Sequence, residues 1–474
     1  MKELAPLPAS VQVAAACGGS LFGVLLLTGV LTCASIWIGC QNARPPRRLH
    51  PNLLLVVVDT LRADHLGCYG STRDTSPQID ALATESVRYT RAYAAAPWTK
   101  PAVASMMTGL YPSHHGVDRM LRVLPDSAST LAEVLRQRGY RTAGVVSHTL
   151  IGKQFGYDQG FEIYDESEAQ GHRHISTPGV IRRARELLRD FESASAPFFL
   201  FVHLFDPHDT YLPHPEFGFA AARAGRIKAG RGSSQLRQLR PPPHGAEIQL
   251  LRDLYDEEIR FTDQGLALLL GDLRSAGELD QTLVVLVADH GEEFFERGWL
   301  GHGSSLFDEL LRVPLLVRLP GGERAGTVET KPVSVVGLMA TSLEMLGLGG
   351  TAGNLDVPSF ARVTTLAQPI YAELNYAPHG SGMTIPKADD PWLRAVIDGR
   401  YKLIYDRLQD RARLFDLVSD SAESTDVADR FPERVAAMRQ MLRAAPRADS
   451  GLRLAPNHTT LSDAQKELLR KLGY

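Results

Sequence analysis

Five short runs of aliphatic residues restrict the fold of this chain more than any other feature. Each run is continuous instead of alternating with polar residues, as expected for a strand that is buried on both faces of a parallel sheet. The runs occupy positions 53–58, 143–146, 198–202, 283–287 and 313–317, and amphipathic segments at 131–139, 180–193 and 251–275 lie between them. This alternation predicts an α/β fold, with a large and mostly parallel sheet sandwiched by helices.

The sequence pattern changes from about residue 370. Segments 393–398 and 400–406 flank Gly399 and predict a hairpin, 413–418 predicts a third strand, and 432–443 predicts a helix. We therefore expect a catalytic domain at 51–369 and a small antiparallel C-terminal subdomain at 370–474.

The N-terminal segment carries no charged residue between Glu3 and Arg44. Its apolar core, about 11–40, exceeds the roughly 20 residues that a membrane-spanning helix needs. A cleaved signal peptide would have a shorter apolar region after a basic start. Residues 1–50 are therefore predicted to be a membrane anchor and linker, with a signal peptide or a lipoprotein as alternatives. Arg47 and Arg48, with Arg44, favour a cytoplasmic position for the flank that follows.

Charge is unevenly distributed along the chain. The formal net charge of −3 predicts no general attraction to nucleic acid. Segment 217–246, in contrast, contains six arginines and lysines and no acidic residue. We interpret it as a long basic loop, which is either a solvated insertion or a cover that attracts an anionic substrate.

Acidic residues directly follow two of the predicted strands. Asp59 comes after the first run, and Asp289 comes after the fourth, with His290 next to it. In open α/β sheets, ligands bind beyond the carboxyl ends of the strands. The two carboxylates and the imidazole are therefore predicted to converge on a divalent cation.

A third element brings a hydroxyl to this edge of the sheet. Pro101 and Gly109 frame one short helix, which places Thr99 at its N-terminal end. The N–H groups and the dipole at this end favour an anion. As a nucleophile, Thr99 would need a metal ion to lower its pKa, and Asp59, Asp289 and His290 could hold that ion.

The chain resembles the sulfatase family of the alkaline phosphatase superfamily from about residue 51 to 442. The resemblance lies in several motifs and their order: Asp59-Thr60-Leu61-Arg62-Ala63-Asp64, Phe205-Asp206-Pro207-His208, Asp289-His290-Gly291-Glu292, Gly301-His302-Gly303 and Leu414-Phe415-Asp416-Leu417. It implies that Asp59, Thr99, Asp289 and His290 bind metal, and that Thr99 occupies the nucleophile position. It also implies that His208 and His302 contact the ester or its leaving oxygen. His203, His114 and His115 lack such a match and are interpreted as structural.

The chain departs from the family at the nucleophile. Sulfatases oxidise a Cys or Ser in a Cys/Ser-x-Pro-x-Arg pentapeptide to formylglycine, whereas this chain has Thr99-Lys100-Pro101-Ala102-Val103. A threonine cannot give that aldehyde, which points to relatives that use threonine directly on phosphodiesters or phosphonates. Lys100 is predicted to bind substrate and replace some of the missing positive charge. The expected cofactor is at least one divalent ion: Mn²⁺ or Zn²⁺, which suit a histidine ligand, or Ca²⁺, which prefers oxygen.

Three functions remain open at this stage. The first is a metal-dependent hydrolase that cleaves a sulfate or phosphate ester, of a glycan or a lipid, through Thr99. The second is a membrane-anchored transferase of the phosphoethanolamine or glycerophosphate type, and the third is a non-catalytic sulfatase-like binding protein. The resemblance implies an extracytoplasmic catalytic domain, opposite to the arginine bias after the anchor.

Overall fold

The computed structural model describes residues 49–170, 175–192, 194–220, 226–351, 353–361, 368–376, 391–445, 453–455, 457–463 and 466. The strands are β1 (Asn52–Val58), β2 (Val87–Tyr93), β3 (Arg122–Val123), β4 (Arg141–Val146), β5 (Ile163–Asp165), β6 (Phe198–Leu204), β7 (Thr282–Ala288), β8 (Glu293–Phe294), β9 (Leu300–Gly301), β10 (Arg312–Arg318), β11 (Val328–Glu329), β12 (Val333–Ser334), β13 (Ile370–Leu374), β14 (Leu393–Asp398), β15 (Tyr401–Asp406), β16 (Arg411–Asp416) and β17 (Asn457–His458). The helices are α1 (Pro77–Thr84), α2 (Thr99–Thr108), α3 (Pro112–His115), α4 (Leu131–Gln137), α5 (Thr177–Glu192), α6 (Ser233–Leu236), α7 (Ala246–Ser275), α8 (Asp308–Leu311), α9 (Leu338–Met345) and α10 (Pro432–Ala444).

The main sheet has the order β11-β2-β10-β7-β1-β6-β4-β5, with β12 also paired to β2. Strand β1 is central and runs parallel to both β6 and β7. All seven residues of β1 are buried, which explains why its sequence is aliphatic on both faces. The fold class predicted from the aliphatic runs is confirmed.

One strand of the main sheet runs against its neighbours. Strand β10 pairs antiparallel with both β7 and β2, which agrees with a sheet predicted to be mostly, but not entirely, parallel. Between β7 and β10 the chain forms only the short strands β8 and β9 and the four-residue helix α8. A parallel return needs a crossover, usually a long helix. Because this connection does not cross the sheet, β10 begins at the end of the sheet where β7 finishes and runs in the opposite direction.

The C-terminal strands form a second sheet with the order β13-β14-β15-β16. Each neighbouring pair is antiparallel, and α10 packs on β14 and β15. This confirms the antiparallel sheet expected from the hairpin around Gly399. Residues 47–474 form one compact unit, and the division into domains at 369/370 stays a prediction.

A buried lysine joins this second sheet to the rest of the unit. Lys402 of β15 is fully buried, with its Nζ atom 2.7 Å from Asp308 Oδ1 and 2.9 Å from Glu423 Oε1. Lys402→Met should lower the free energy of unfolding by about 3–5 kcal/mol, because it leaves two carboxylates in a buried site without their cation. Urea unfolding followed by circular dichroism measures this change. Lys153→Met, at an exposed lysine, is the matched control, and equal stability of the two variants would contradict the assignment.

The predicted membrane anchor lies outside the described residues. Within those residues, no helix has both the length and the hydropathy needed to cross a bilayer. Attachment to a membrane through residues 1–50 therefore stays a prediction.

Candidate active site

Four neighbouring strands end at one place on the main sheet. Asp59 directly follows β1, and Asp289 directly follows β7, whose last residue pairs with the last residue of β1. His203 lies on the other side, near the end of β6, beside Val57 of β1. His148 comes two residues after β4. All four side chains are buried, so the sheet gathers two carboxylates and two imidazoles at the carboxyl ends of its strands.

Thr99 is the first residue of α2, and its hydroxyl reaches this group. Its Oγ1 atom lies 3.2 Å from His290 Nε2 and 3.5 Å from each carboxylate oxygen of Asp59. Every residue of α2 is buried, and Gly109 ends the helix with a positive φ of 68°. The helix is therefore fixed in the core, with its N-terminal residue against the strand ends.

Backbone groups orient the side chains that follow β7. Asp289 Oδ1 accepts hydrogen bonds from the backbone N–H groups of Thr60 and His290, at 3.2 Å and 2.9 Å. His290 Nδ1 donates to the carbonyl oxygen of Gly291 at 2.9 Å, which leaves the lone pair on Nε2. This Nε2 atom lies 3.4 Å from Asp289 Oδ2 and 3.5 Å from Asp59 Oδ1.

Burial places a large electrostatic cost on this arrangement. Burial, and next the charge of Asp289, raise the pKa of Asp59 well above its usual range. Burial also lowers the pKa of His203 and of His290 to about 4, so both imidazoles are neutral near pH 7. A neutral imidazole can act as a metal ligand but cannot balance two buried carboxylates.

The donor set fits a divalent cation. Two groups of side chains have ligand atoms within 4.8 Å of one another: Asp59 with His203 and Asp289, and Asp59 with His148 and His208. Asp289 Oδ2 and both ring nitrogens of His203 are buried without a hydrogen-bond partner. A cation would satisfy Asp289 Oδ2 and one ring nitrogen of His203, and it would balance the charge of the carboxylates.

The two histidines predicted to contact the ester lie beside this centre. The His302 ring centroid is 4.6 Å from that of His290 and 4.7 Å from that of His208. His302 Nδ1 lies 2.9 Å from Glu292 Oε1, and His208 Nδ1 lies 2.6 Å from the carbonyl oxygen of Asp209. Burial lowers the pKa of His208, but the charges of Asp59 and Asp209 outweigh it and raise this pKa to about 10.

Lys100 occupies a different environment from the one predicted. Its Nζ atom donates to the carbonyl oxygen of Met120 at 2.6 Å and lies 3.6 Å from the Phe155 ring centroid. Burial lowers its pKa well below the usual value. The amine of Lys100 therefore lies in the protein interior. Its role in binding substrate stays a prediction.

The structure brings together the predicted Asp59, Thr99, Asp289 and His290, with His208 and His302 next to them. It adds His203, which we interpreted as structural, and His148, which lay in a segment without a matching motif. The signal for His203 was its position at the end of an aliphatic run, the same signal that identified Asp59. His114 and His115 lie elsewhere, against Asp356 and Ser105.

Comparison with known proteins gives a consistent picture. Residues 51–348 match the family model described as sulfatase. The chain is 26% identical to the choline-sulfatase of Rhizobium meliloti (strain 1021) over 448 residues, which cover 80% of this chain and 82% of that enzyme. It is 24% identical to an uncharacterised sulfatase of Escherichia coli (strain K12) over 344 residues, which cover 62% of this chain and 67% of that protein.

A solved structure shares the same architecture. The phosphonate monoester hydrolase of Agrobacterium radiobacter superposes with a TM-score of 0.67 at 21% sequence identity. The superposition covers 83% of this chain and 95% of that enzyme. At this level of identity, the likeness shows a common fold.

Proposed function

We propose, since this chain belongs to the sulfatase family of the alkaline phosphatase superfamily, that it hydrolyses a sulfate or phosphorus-containing ester with Thr99 as the nucleophile and a divalent metal as cofactor. One observation carries the proposal. The Thr99 hydroxyl oxygen lies 3.2 Å from His290 Nε2 and 3.5 Å from both oxygens of Asp59, inside the group of residues that fits a cation.

The side chains at the strand ends and the N-terminus of α2 have different roles. Asp59, Asp289 and His290, with His203, would hold the metal ion. A divalent ion bound there would withdraw electron density from the Thr99 oxygen and from the non-bridging oxygens of the ester. The N-terminus of α2 adds a fixed positive potential next to the developing charge.

The reaction that fits these residues is an in-line displacement in two steps. Thr99 Oγ1 gives up its proton to solvent and forms a bond to sulfur or phosphorus as the bond to the leaving oxygen breaks. His208, whose pKa is raised to about 10, is an imidazolium near pH 7 and gives its proton to that oxygen, while His302, whose pKa is lowered to about 3, contacts it as a neutral ring. Water then attacks the covalent ester on Thr99, which releases sulfate or the phosphorus acid and restores the hydroxyl. Glu292, 2.9 Å from His302 Nδ1, orients that ring.

The relatives suggest which esters to test first. A choline-sulfatase supports sulfate esters, and a phosphonate monoester hydrolase of the same fold supports phosphonate esters. Thr99 in place of an oxidisable Cys or Ser favours the phosphorus-containing class, because formylglycine cannot form. We also propose that the substrate is an ester of a glycan or a lipid.

A substrate and metal panel tests the proposal. Aryl sulfate, phosphate monoester, phosphodiester and phosphonate esters are incubated with metal-stripped protein, alone and after addition of Mn²⁺, Zn²⁺ or Ca²⁺. We expect turnover of at least one ester class that requires added metal, with Mn²⁺ or Zn²⁺ more effective than Ca²⁺. Purified protein that binds no divalent metal and cleaves no ester would instead indicate a binding protein. Transfer of a labelled phospholipid headgroup to an alcohol, without release to water, would indicate a transferase.

A further inference from the structure

Part of the basic segment 217–246 lies against the candidate active site. Helix α6 of this segment packs on β9, and the backbone N–H of Ser233 donates to Asp209 Oδ2 at 2.5 Å. Gly301 of β9 has a positive φ of 103°, and a Cβ atom there would lie 3.2 Å from Arg237 Nη1 and 3.3 Å from Ser233 Oγ. Residues 233–237 of the segment are therefore fixed to the residues next to His208 and His302.

Among the described residues of this segment, Arg237 is held near the site by hydrogen bonds and a ring contact. Its Nη1 atom donates to the carbonyl oxygen of Leu300 at 2.7 Å and to Ser233 Oγ at 3.0 Å. Its guanidinium carbon lies 4.2 Å from the Trp299 ring centroid, a cation–π contact that limits its movement. The chain reaches His302 only two residues after Leu300.

The charge of Arg237 acts on the candidate site. Burial lowers the pKa of His302 to about 3, and the charges of His208 and Arg237 contribute in the same direction. Arg237 also interacts electrostatically with Asp209, Glu292 and Tyr376. Burial lowers the pKa of Arg237, but a guanidinium remains charged at any working pH.

An aromatic pair lies on the same side of the site. Tyr376 stacks on Trp98, with ring centroids 4.6 Å apart, and Trp98 directly precedes Thr99. Tyr376 thus connects the nucleophile, through Trp98, with the charge of Arg237.

We propose that Arg237 is a specificity-determining residue that binds a second anionic group, a carboxylate or a further oxyacid ester, on the non-reacting part of the substrate. The inference rests on the proposed function and narrows it to esters with at least two negative charges. Asp209 and Glu292 would repel such a substrate, and a fixed cation beside His302 offsets that repulsion. The planar guanidinium matches the oxygens of a carboxylate or a sulfate.

Two matched substrates and two matched variants test this assignment. The substrates are the 4-nitrophenyl and the 2-carboxy-4-nitrophenyl esters of sulfuric acid and of a phosphonic acid, whose reacting group carries one negative charge. Arg237→Ala should lower the ratio of kcat/KM for the dianionic ester to that for the monoanionic ester by at least about tenfold, mainly through KM, because bidentate charge-assisted contacts are among the strong ones. The ratio for Arg237→Lys should lie between those of the wild type and Arg237→Ala. Lys228→Ala, at an exposed lysine of the same segment, should leave the ratio unchanged.

A structural role for Arg237 makes a different prediction. If the residue only clamps α6 to β9, Arg237→Ala lowers kcat/KM for both esters equally and the ratio is unchanged, which would overturn the proposal. Calorimetric titration of the dianionic ester into Thr99→Val protein, with and without Arg237→Ala, measures binding independently of turnover. Binding that depends on Arg237, in an enzyme that cleaves neither ester, would refute the proposed function but not the anion site. Equal binding by both proteins would refute the anion site.

Discussion

Replacing Thr99 with valine should lower kcat by at least about 10³-fold, since loss of an activated nucleophile removes the covalent route entirely. Valine keeps the shape of the side chain and removes the oxygen that lies 3.2 Å from His290 Nε2. Initial rates on the best ester of the panel measure the effect. Thr99→Ser restores a hydroxyl at this position and should recover part of the activity.

The same substitution at the other end of the helix is the control for Thr99. Thr108 ends α2, is also buried, and donates its hydroxyl to the carbonyl oxygen of Ala104 at 2.7 Å. Thr108→Val should lower stability by about 1 kcal/mol, the typical worth of a single hydrogen bond, and leave kcat nearly unchanged. Retention of more than about a tenth of the wild-type kcat by a folded Thr99→Val protein would rule out Thr99 as the nucleophile.

Five strands of the main sheet, β1, β4, β6, β7 and β10, were predictable because their sequences are dictated by burial. A strand covered on both faces has no polar side to display, so β1, β6 and β7 read as continuous aliphatic runs. The direction of β10 was not predictable in this way. Its sequence is equally aliphatic, and its direction depends on whether the preceding connection crosses the sheet.

The candidate site was predictable where a local signal existed. Asp59 and Asp289 directly follow aliphatic runs, and Thr99 lies at a helix start defined by Pro101, so short stretches of sequence were enough. His203 also directly follows an aliphatic run, but a histidine at a strand end is usually structural, and His148 gave no such signal. Their position beside Asp59 follows from the pairing of β1 with β6 and of β6 with β4, which only the folded sheet reveals.

Asp59→Asn should remove bound metal as well as activity. Asp59 belongs to both groups of possible ligands, so its loss weakens every arrangement of the ion. The affinity should fall by more than the roughly 10–100-fold that loss of a supporting contact costs at a metal site. Metal content after dialysis, measured by mass spectrometry, and turnover should decrease together. Asp64→Asn, which removes an exposed carboxylate five positions along the chain, should change neither the metal content nor the turnover.

Thermal unfolding separates the loss of a ligand from damage to the fold. In metal-free protein, burial, and next the charge of Asp289, raise the pKa of Asp59, so ionised Asp59 is destabilised by desolvation and by repulsion from Asp289. Asparagine relieves this repulsion, and metal-free Asp59→Asn should have a Tm equal to or above that of the metal-free wild type. Saturating metal at 100 times its Kd should stabilise the wild type by about 2.7 kcal/mol, because the ion binds only the folded state. The same concentration of metal should leave the Tm of Asp59→Asn unchanged. If added metal raises the Tm of Asp59→Asn as much as it raises the Tm of the wild type, the ion binds at another site.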